Sequence, residues 1–197
     1  LRPIIKNAVL AWNIAFEEAG FIDAIEVKIQ PDDADWSAGD IRYNVLRWTS
    51  SPNPPFGGYG PSFTNPRTGE ILGADIMLEW IYLTNRVRYS EIFENLENRN
   101  NDFCHNSLLK QENRIFGKLA TEALDLNENE ISRLYEEDLY QLILHEVGHT
   151  LGLNHNFAAS TLHNNSDVHN PEITYKEGLS SSVTVSYTHL TLPTTKQ

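Results

Sequence analysis

The sequence predicts an α+β fold, a mixed sheet backed by helices. Three observations point there. The chain opens on a helical pattern. Short alternating and Gly/Pro-punctuated segments then run up to residue 80. From Ile81 onward the pattern turns helical again, and its last stretch carries a dense histidine cluster. One helix and several strands first, with helices later, is the order such folds show.

Residues 2–19 repeat Ile5, Val9, Trp12 and Phe16 at helical spacing, and Gly20 stops the run. Residues 24–30 set Ile25, Val27 and Ile29 against Glu26 and Lys28, the pattern of a half-buried strand. Residues 41–48 alternate in the same way. Residues 50–61 are rich in proline and glycine and predict an irregular loop. Residues 59–64 are expected as a short edge strand, 65–69 as a turn and 71–79 as a further strand. Helices are expected near 81–98, 107–125 and 131–152. No internal repeat is present.

The chain has 197 residues and a formal net charge of -12, with 40% hydrophobic residues. That is one globular domain of ordinary size rather than a disordered chain. The acidic balance argues against a nucleic-acid binder, which needs a basic face for the phosphates. The single cysteine, Cys104, excludes an internal disulfide and a thiolate zinc site. No apolar run approaches the length of a membrane span. The chain starts Leu1-Arg2-Pro3 and falls straight into a helical pattern, so it is expected to be an internal fragment.

The chemistry concentrates in HEVGHTLGLNH, residues 145–155. His145 and His149 are spaced i, i+4, so on a helix both imidazoles leave one face about a turn apart. That spacing lets two nitrogens reach one zinc ion. Glu146, beside the first ligand, can reach a water on the metal without ligating it. On a continuing helix His155 would lie too far along the axis. Gly152 can take positive φ, end the helix and turn the chain so that His155 returns to the metal. Three neutral nitrogens leave a fourth position open, as catalytic zinc sites do. The expected reaction is peptide-bond hydrolysis by a zinc-activated water, with Glu146 as general base and no covalent intermediate. A buried helix whose polar residues are satisfied locally is the bland alternative. It would leave two histidines and a glutamate in an otherwise apolar run, each needing a partner.

The pattern H-E-x-x-H-x-x-G-x-x-H, carried by His145, Glu146, His149, Gly152 and His155, resembles the metzincin zinc-protease motif. Asn156 stands where the reprolysin and adamalysin branch typically has aspartate. The phrases DIRYNVLRW, NPRTGEILGADI and GLNHNFAAS resemble a narrower group. These are the reprolysin-like domains of large uncharacterised zinc-dependent metalloproteases of bacteria, common in Bacteroidota. The resemblance runs over most of residues 1–183. It implies a mixed twisted sheet with an antiparallel edge strand at residues 59–64, backed by helices, with a long zinc-binding active-site helix. It also implies a chain truncated at both ends, whose first sheet strand would precede Leu1. An extended peptide or protein substrate would add to the edge strand. By the same resemblance the protein is extracytoplasmic, either secreted, periplasmic or outer-membrane associated, and carries further domains.

Other candidates have plainer readings. Cys104-His105 lacks an activating context for thiol chemistry. His163 and His169 could hold a second ion with Asp167, or be solvated loop residues. The acidic run at 128–130 fits a helix start. Residues 52–61 fit a substrate-contacting flap and an ordinary surface loop equally well.

Metzincins place a methionine in a turn beneath the zinc, downstream of the third histidine. The only methionine here is Met77, upstream. Residues 185–194, VSYTHLTLPT, are what a sequencing-library transposon adapter encodes in frame. The expectation is therefore a partial metzincin-like catalytic domain at 1–183 and a non-native, poorly ordered read-through tail at 184–197. Tyr187 and His189 then have no role, and the chain as it stands is expected to be a poor enzyme. A zinc-containing peptide-binding module without catalysis is the main rival, and hydrolysis of a non-peptide amide a third reading.

Overall fold

The computed structural model describes residues 1–52, 57–80 and 128–185. The helices expected at 81–98 and 107–125, Cys104-His105 and Tyr187 to His189 lie outside the described residues. The chain divides into two units, Leu1–Gly152 and Leu153–Gln197.

In the first unit the opening helix forms as two abutting pieces, α1 (Arg2–Leu10) and α2 (Trp12–Glu18). Pro3 sits in the first turn of α1, where a missing N–H costs nothing. Among the described residues the sheet has four strands: β1 (Val45–Thr49), β2 (Gly58–Tyr59), β3 (Ser62–Thr64) and β4 (Ile71–Glu79). β4 is the hub. β1 pairs with it in parallel, from Val45 opposite Asp75 to Thr49 opposite Glu79. β2 and β3 pair with it antiparallel, with Gly58 opposite Leu78 and Ser62 opposite Ala74. The expected mixed sheet with an antiparallel edge is present. The edge is broken at Gly60-Pro61, because proline offers no N–H to a ladder.

Residues 24–30 are not a strand. Ile25 is tied instead to Asn13, whose side chain accepts from the Ile25 N–H at 2.8 Å and donates to its carbonyl at 2.9 Å. Ile29 is 69% exposed. The alternation is real, but among the described residues 24–30 pairs with no strand.

The long helix α3 (Glu128–Thr150) follows. Leu139, Leu142, Ile143, Glu146, Val147 and Thr150 are buried along it. Their spacing, i, i+3, i+4, i+7, i+8 and i+11, is one helical stripe. The stripe packs on Ala8 of α1 and on Ile76 and Leu78 of β4, which makes the core. Truncating a core leucine such as Leu142 to alanine would cost about 2–5 kcal/mol. Glu146 is the one charged residue in this stripe.

The second unit is loop-rich. Two short 3₁₀ turns, Phe157–Thr161 and Asp167–His169, precede α4 (Pro171–Glu177). Asn170 caps α4 by accepting from the Glu172 N–H, with Pro171 in the first turn. The loop after His155 is clipped by the end of the described chain. The Asn156 N–H donates to the Thr184 carbonyl at 3.0 Å, and Thr184 Oγ1 donates to the Asn154 carbonyl at 3.0 Å. Thr184 and Val185 are buried.

Candidate metal centre

The sequence HEVGH lies in the last two turns of α3, as its spacing predicts. Nε2 of His145 and Nε2 of His149 face each other at 3.0 Å. The two rings meet edge to face, with centroids 4.6 Å apart. His145 is wholly buried and His149 half-buried. The helix ends where the glycine stands. The Leu151 N–H donates to the Val147 carbonyl and the Gly152 N–H to the His149 carbonyl, both at 3.0 Å. Gly152 has φ +93°. That region costs L-residues about 1–2 kcal/mol, and more for β-branched ones.

The ligand nitrogens of His145, His149 and His155 lie within 4.8 Å of one another. Among the described residues no other group of three potential ligands comes together in this way. Nitrogens at about 2.0–2.1 Å from a tetrahedral zinc sit roughly 3.3 Å apart. The observed separations bracket that value, so three imidazoles at these positions fit zinc. Three histidine nitrogens are a donor set that catalytic zinc sites use. The pair of His163 and His169 with Asp167 does not form a second such group. His163 Nε2 instead donates to the Gly178 carbonyl at 2.7 Å. Asp167 accepts from the Asn164 side-chain amide at 2.7 Å.

Glu146 follows His145 directly on the helix. It belongs to the core-facing stripe and is 0% exposed. β2 crosses it: a Cβ at Gly58 would lie 3.0 Å from Glu146 Oε1, and one at Gly60 would lie 2.5 Å from the Glu146 carbonyl oxygen.

A second buried carboxylate sits at the end of β4. Glu79 is 1% exposed. It accepts from Thr49 Oγ1 at 2.8 Å, from Ser51 Oγ at 2.7 Å and from the Ser51 N–H at 3.0 Å. Its own N–H donates to the Gly57 carbonyl at 2.8 Å. Glu79 therefore ties Thr49 and Ser51 to Gly57, just before β2. Burial pushes its carboxyl up. The hydrogen bonds from Ser51 and Thr49 outweigh burial and hold it below the usual range.

Sequence reasoning missed Gly58, Gly60 and Glu79. Gly58 and Gly60 stand in GGYG within a proline-rich stretch that reads as loop, and Glu79 closes a strand. The available signal was a cluster of glycines beside a strand, which marks close backbone approach.

Helix, turned third histidine and adjacent buried glutamate define a zinc metallopeptidase-like site. Residues 127–194 match the family model described as Met-zincin, which supports a metzincin-type metalloprotease domain there, and the three-histidine group is compatible with zinc. No curated protein and no solved structure matches the chain. No helix among the described residues is long and apolar enough to cross a membrane.

Proposed function

We propose that the chain is a zinc-dependent endopeptidase domain. His145, His149 and His155 hold the metal and Glu146 is the general base. The observation that supports this most is the convergence of the three ligand nitrogens within 4.8 Å beside a wholly buried glutamate. Bound zinc supplies Lewis-acid activation of water and of a scissile carbonyl. The Glu146 carboxylate takes the proton of the attacking water and passes it to the leaving amine. The C–O bond to the scissile carbonyl carbon would form first, the C–N bond would then break, and the proton would end on the new amine. An extended peptide is held by strand addition at the β2–β3 edge.

Two finer parts belong to this reading: residues 1–183 are a reprolysin-like catalytic domain of bacterial type, by the resemblance, and 184–197 are adapter read-through, by the adapter-like coding of VSYTHLTLPT at 185–194. Sequencing the source locus tests this, and codons for 185–194 in genomic DNA would overturn it. An extracytoplasmic location is tested by fractionating the source cells.

The deciding experiment compares the protein expressed from its source gene with its Glu146→Gln variant on a quenched peptide library. The expected result is about one zinc per chain in both. Hydrolysis in the variant should fall about 10²–10⁴-fold. Metal lost together with activity would remove Glu146 from the role of base. A zinc-loaded protein that binds peptides and cleaves none would instead be the non-catalytic binding module. New α-amino groups among the products separate peptide hydrolysis from cleavage of another amide.

A further inference from the structure

β2 crosses α3 at Glu146 with almost no clearance. A Cβ on Gly60 would meet the Glu146 carbonyl oxygen at 2.5 Å and its carbonyl carbon at 3.1 Å. Those are backbone atoms of a helix and have nowhere to go. A Cβ on Gly58 would meet Glu146 Oε1 and Leu142 Cδ1 at 3.0 Å and Glu146 Cγ at 3.1 Å. There the obstacle is chiefly the carboxylate arm itself. Neither glycine has positive φ, so the backbone at both would accept alanine and only space forbids it. Nor can the strand lift away cheaply. Gly58 and Tyr59 are in register with Leu78 and Met77 of β4, and Gly57 is held by the Glu79 N–H.

We infer that Gly58 and Gly60 are positioning residues for Glu146. Gly60 sets how near the helix backbone stands to the sheet, and Gly58 leaves the space in which the carboxylate is seated. The inference rests on the reading of Glu146 as general base. It deepens that reading by assigning the site two residues that carry no chemistry of their own. A base must be held within a fraction of an ångström of its productive position, and displacement alone costs rate.

A thermal double-mutant cycle on the zinc-loaded full chain tests the seating without relying on turnover. Gly58→Ala is expected to lower Tm by about 3 °C or more. In a Glu146→Ala background at least half of that loss should vanish, because two of the three nearest atoms are gone. Gly60→Ala should lower Tm as much or more and recover nothing in that background, because it meets backbone. Gly39→Ala, whose Cβ would meet only Ser37 Oγ at 4.0 Å, is the control. In the active protein Gly58→Ala should lower kcat roughly 10-fold or more. KM and zinc content should stay as in the parent. A Gly58→Ala loss that is the same in both backgrounds, or a kcat equal to the parent's, overturns the inference. If Gly58→Ala does not fold, recovery of soluble protein by adding Glu146→Ala supports it, and no recovery overturns it. A parent that hydrolyses no peptide defeats the base reading alone, and the cycle still decides how the carboxylate is seated.

Discussion

Helix α3 and the strip of sheet opposite it, β2 with the end of β4, meet at Glu146 and contribute in unlike ways. The helix brings His145, Glu146 and His149, every one able to bind metal or move a proton. The strip brings two glycines, apolar side chains and a glutamate whose carboxylate is engaged by Thr49 and Ser51. One region supplies groups and the other supplies their absence. Damage to the first should therefore be nearly all-or-none. Damage to the second should be graded and should appear as stability and position before it appears as lost metal.

The largest effect is expected on the helix. His149→Ala leaves two histidines where zinc needs three, and metal affinity should fall steeply while the fold survives. His149 is half-buried and outside the core stripe, so its loss opens little packing. Elemental analysis after dialysis reads the outcome. Retention of about one zinc per chain by the variant would break the contrast between the two regions.

Gly152→Val is expected to come next. The obstacle is not space, since the nearest atom to a Cβ there is the flexible Ile71 Cδ1 at 3.3 Å. The obstacle is φ +93°, which a β-branched residue strongly resists. The helix would run on or the turn would strain, and His155 would miss the metal. Zinc affinity should drop nearly as far as in His149→Ala. A crystal structure of the variant with His155 still on zinc would refute this role for the glycine.

The two regions also differ in how far the sequence discloses them, and for one physical reason. The groups on α3 are local: i, i+4 spacing and a glycine three residues on fix their geometry within a single segment. Thus the grouping of the three histidines, the turn at Gly152 and the span of β4 could be read directly, β4 to the residue. What the strip does depends on β2, β4 and α3 meeting from distant parts of the chain. No local pattern says that Gly58 will face Glu146 across the fold. Residues 24–30 show the same limit from the other side. Their alternation matches that of β4 in kind, but pairing belongs to two strands and alternation to one. Glu79 escaped for a third reason. A glutamate at a strand end is ordinarily exposed, and only the return of Thr49 and Ser51 makes burial affordable.

Glu79 gives the strip its own pH signature. Its folded pKa lies below the ordinary value. Its stabilisation is therefore fully present above about pH 4.5, where the unfolded carboxyl is ionised, and is lost as pH falls through the lower folded pKa. Glu79→Gln presents an amide NH2 to the Ser51 and Thr49 donors and should cost about 1–3 kcal/mol at neutral pH. The gap in Tm between parent and variant should narrow as pH falls below about 4.5. Zinc content at neutral pH should change far less than in the helix variants. A gap that widens in acid would mean that the folded carboxyl is protonated more easily than the free one, against the hydrogen bonding seen.

The smallest effect is expected on the far face of the same sheet, and it sharpens the comparison most. Side chains alternate across a strand, so Asp75 stands on the face opposite to Ala74, Ile76 and Leu78, away from the core. Arg47 of β1 grips it with two hydrogen bonds, Nε to Oδ1 at 3.1 Å and Nη2 to Oδ2 at 2.9 Å. The hydrogen bond to Asp75 raises the Arg47 pKa. The Arg47 side chain is nevertheless 40% exposed, and water screens such a pair. Arg47→Lys keeps the charge and loses the fork, so the expected cost is about 0.2–1 kcal/mol. That is a Tm shift of at most a few degrees for a chain of this size, shrinking further in high salt. Zinc content and peptide hydrolysis should match the parent. β1 and β4 run beside each other through five paired positions, and one weakened cross-strand pair does not change their register. If Arg47→Lys instead lowered kcat as far as Gly58→Ala, the sheet would be transmitting strain from one face to the other. Control over Glu146 would then belong to the whole sheet rather than to two side-chain-free positions on its edge.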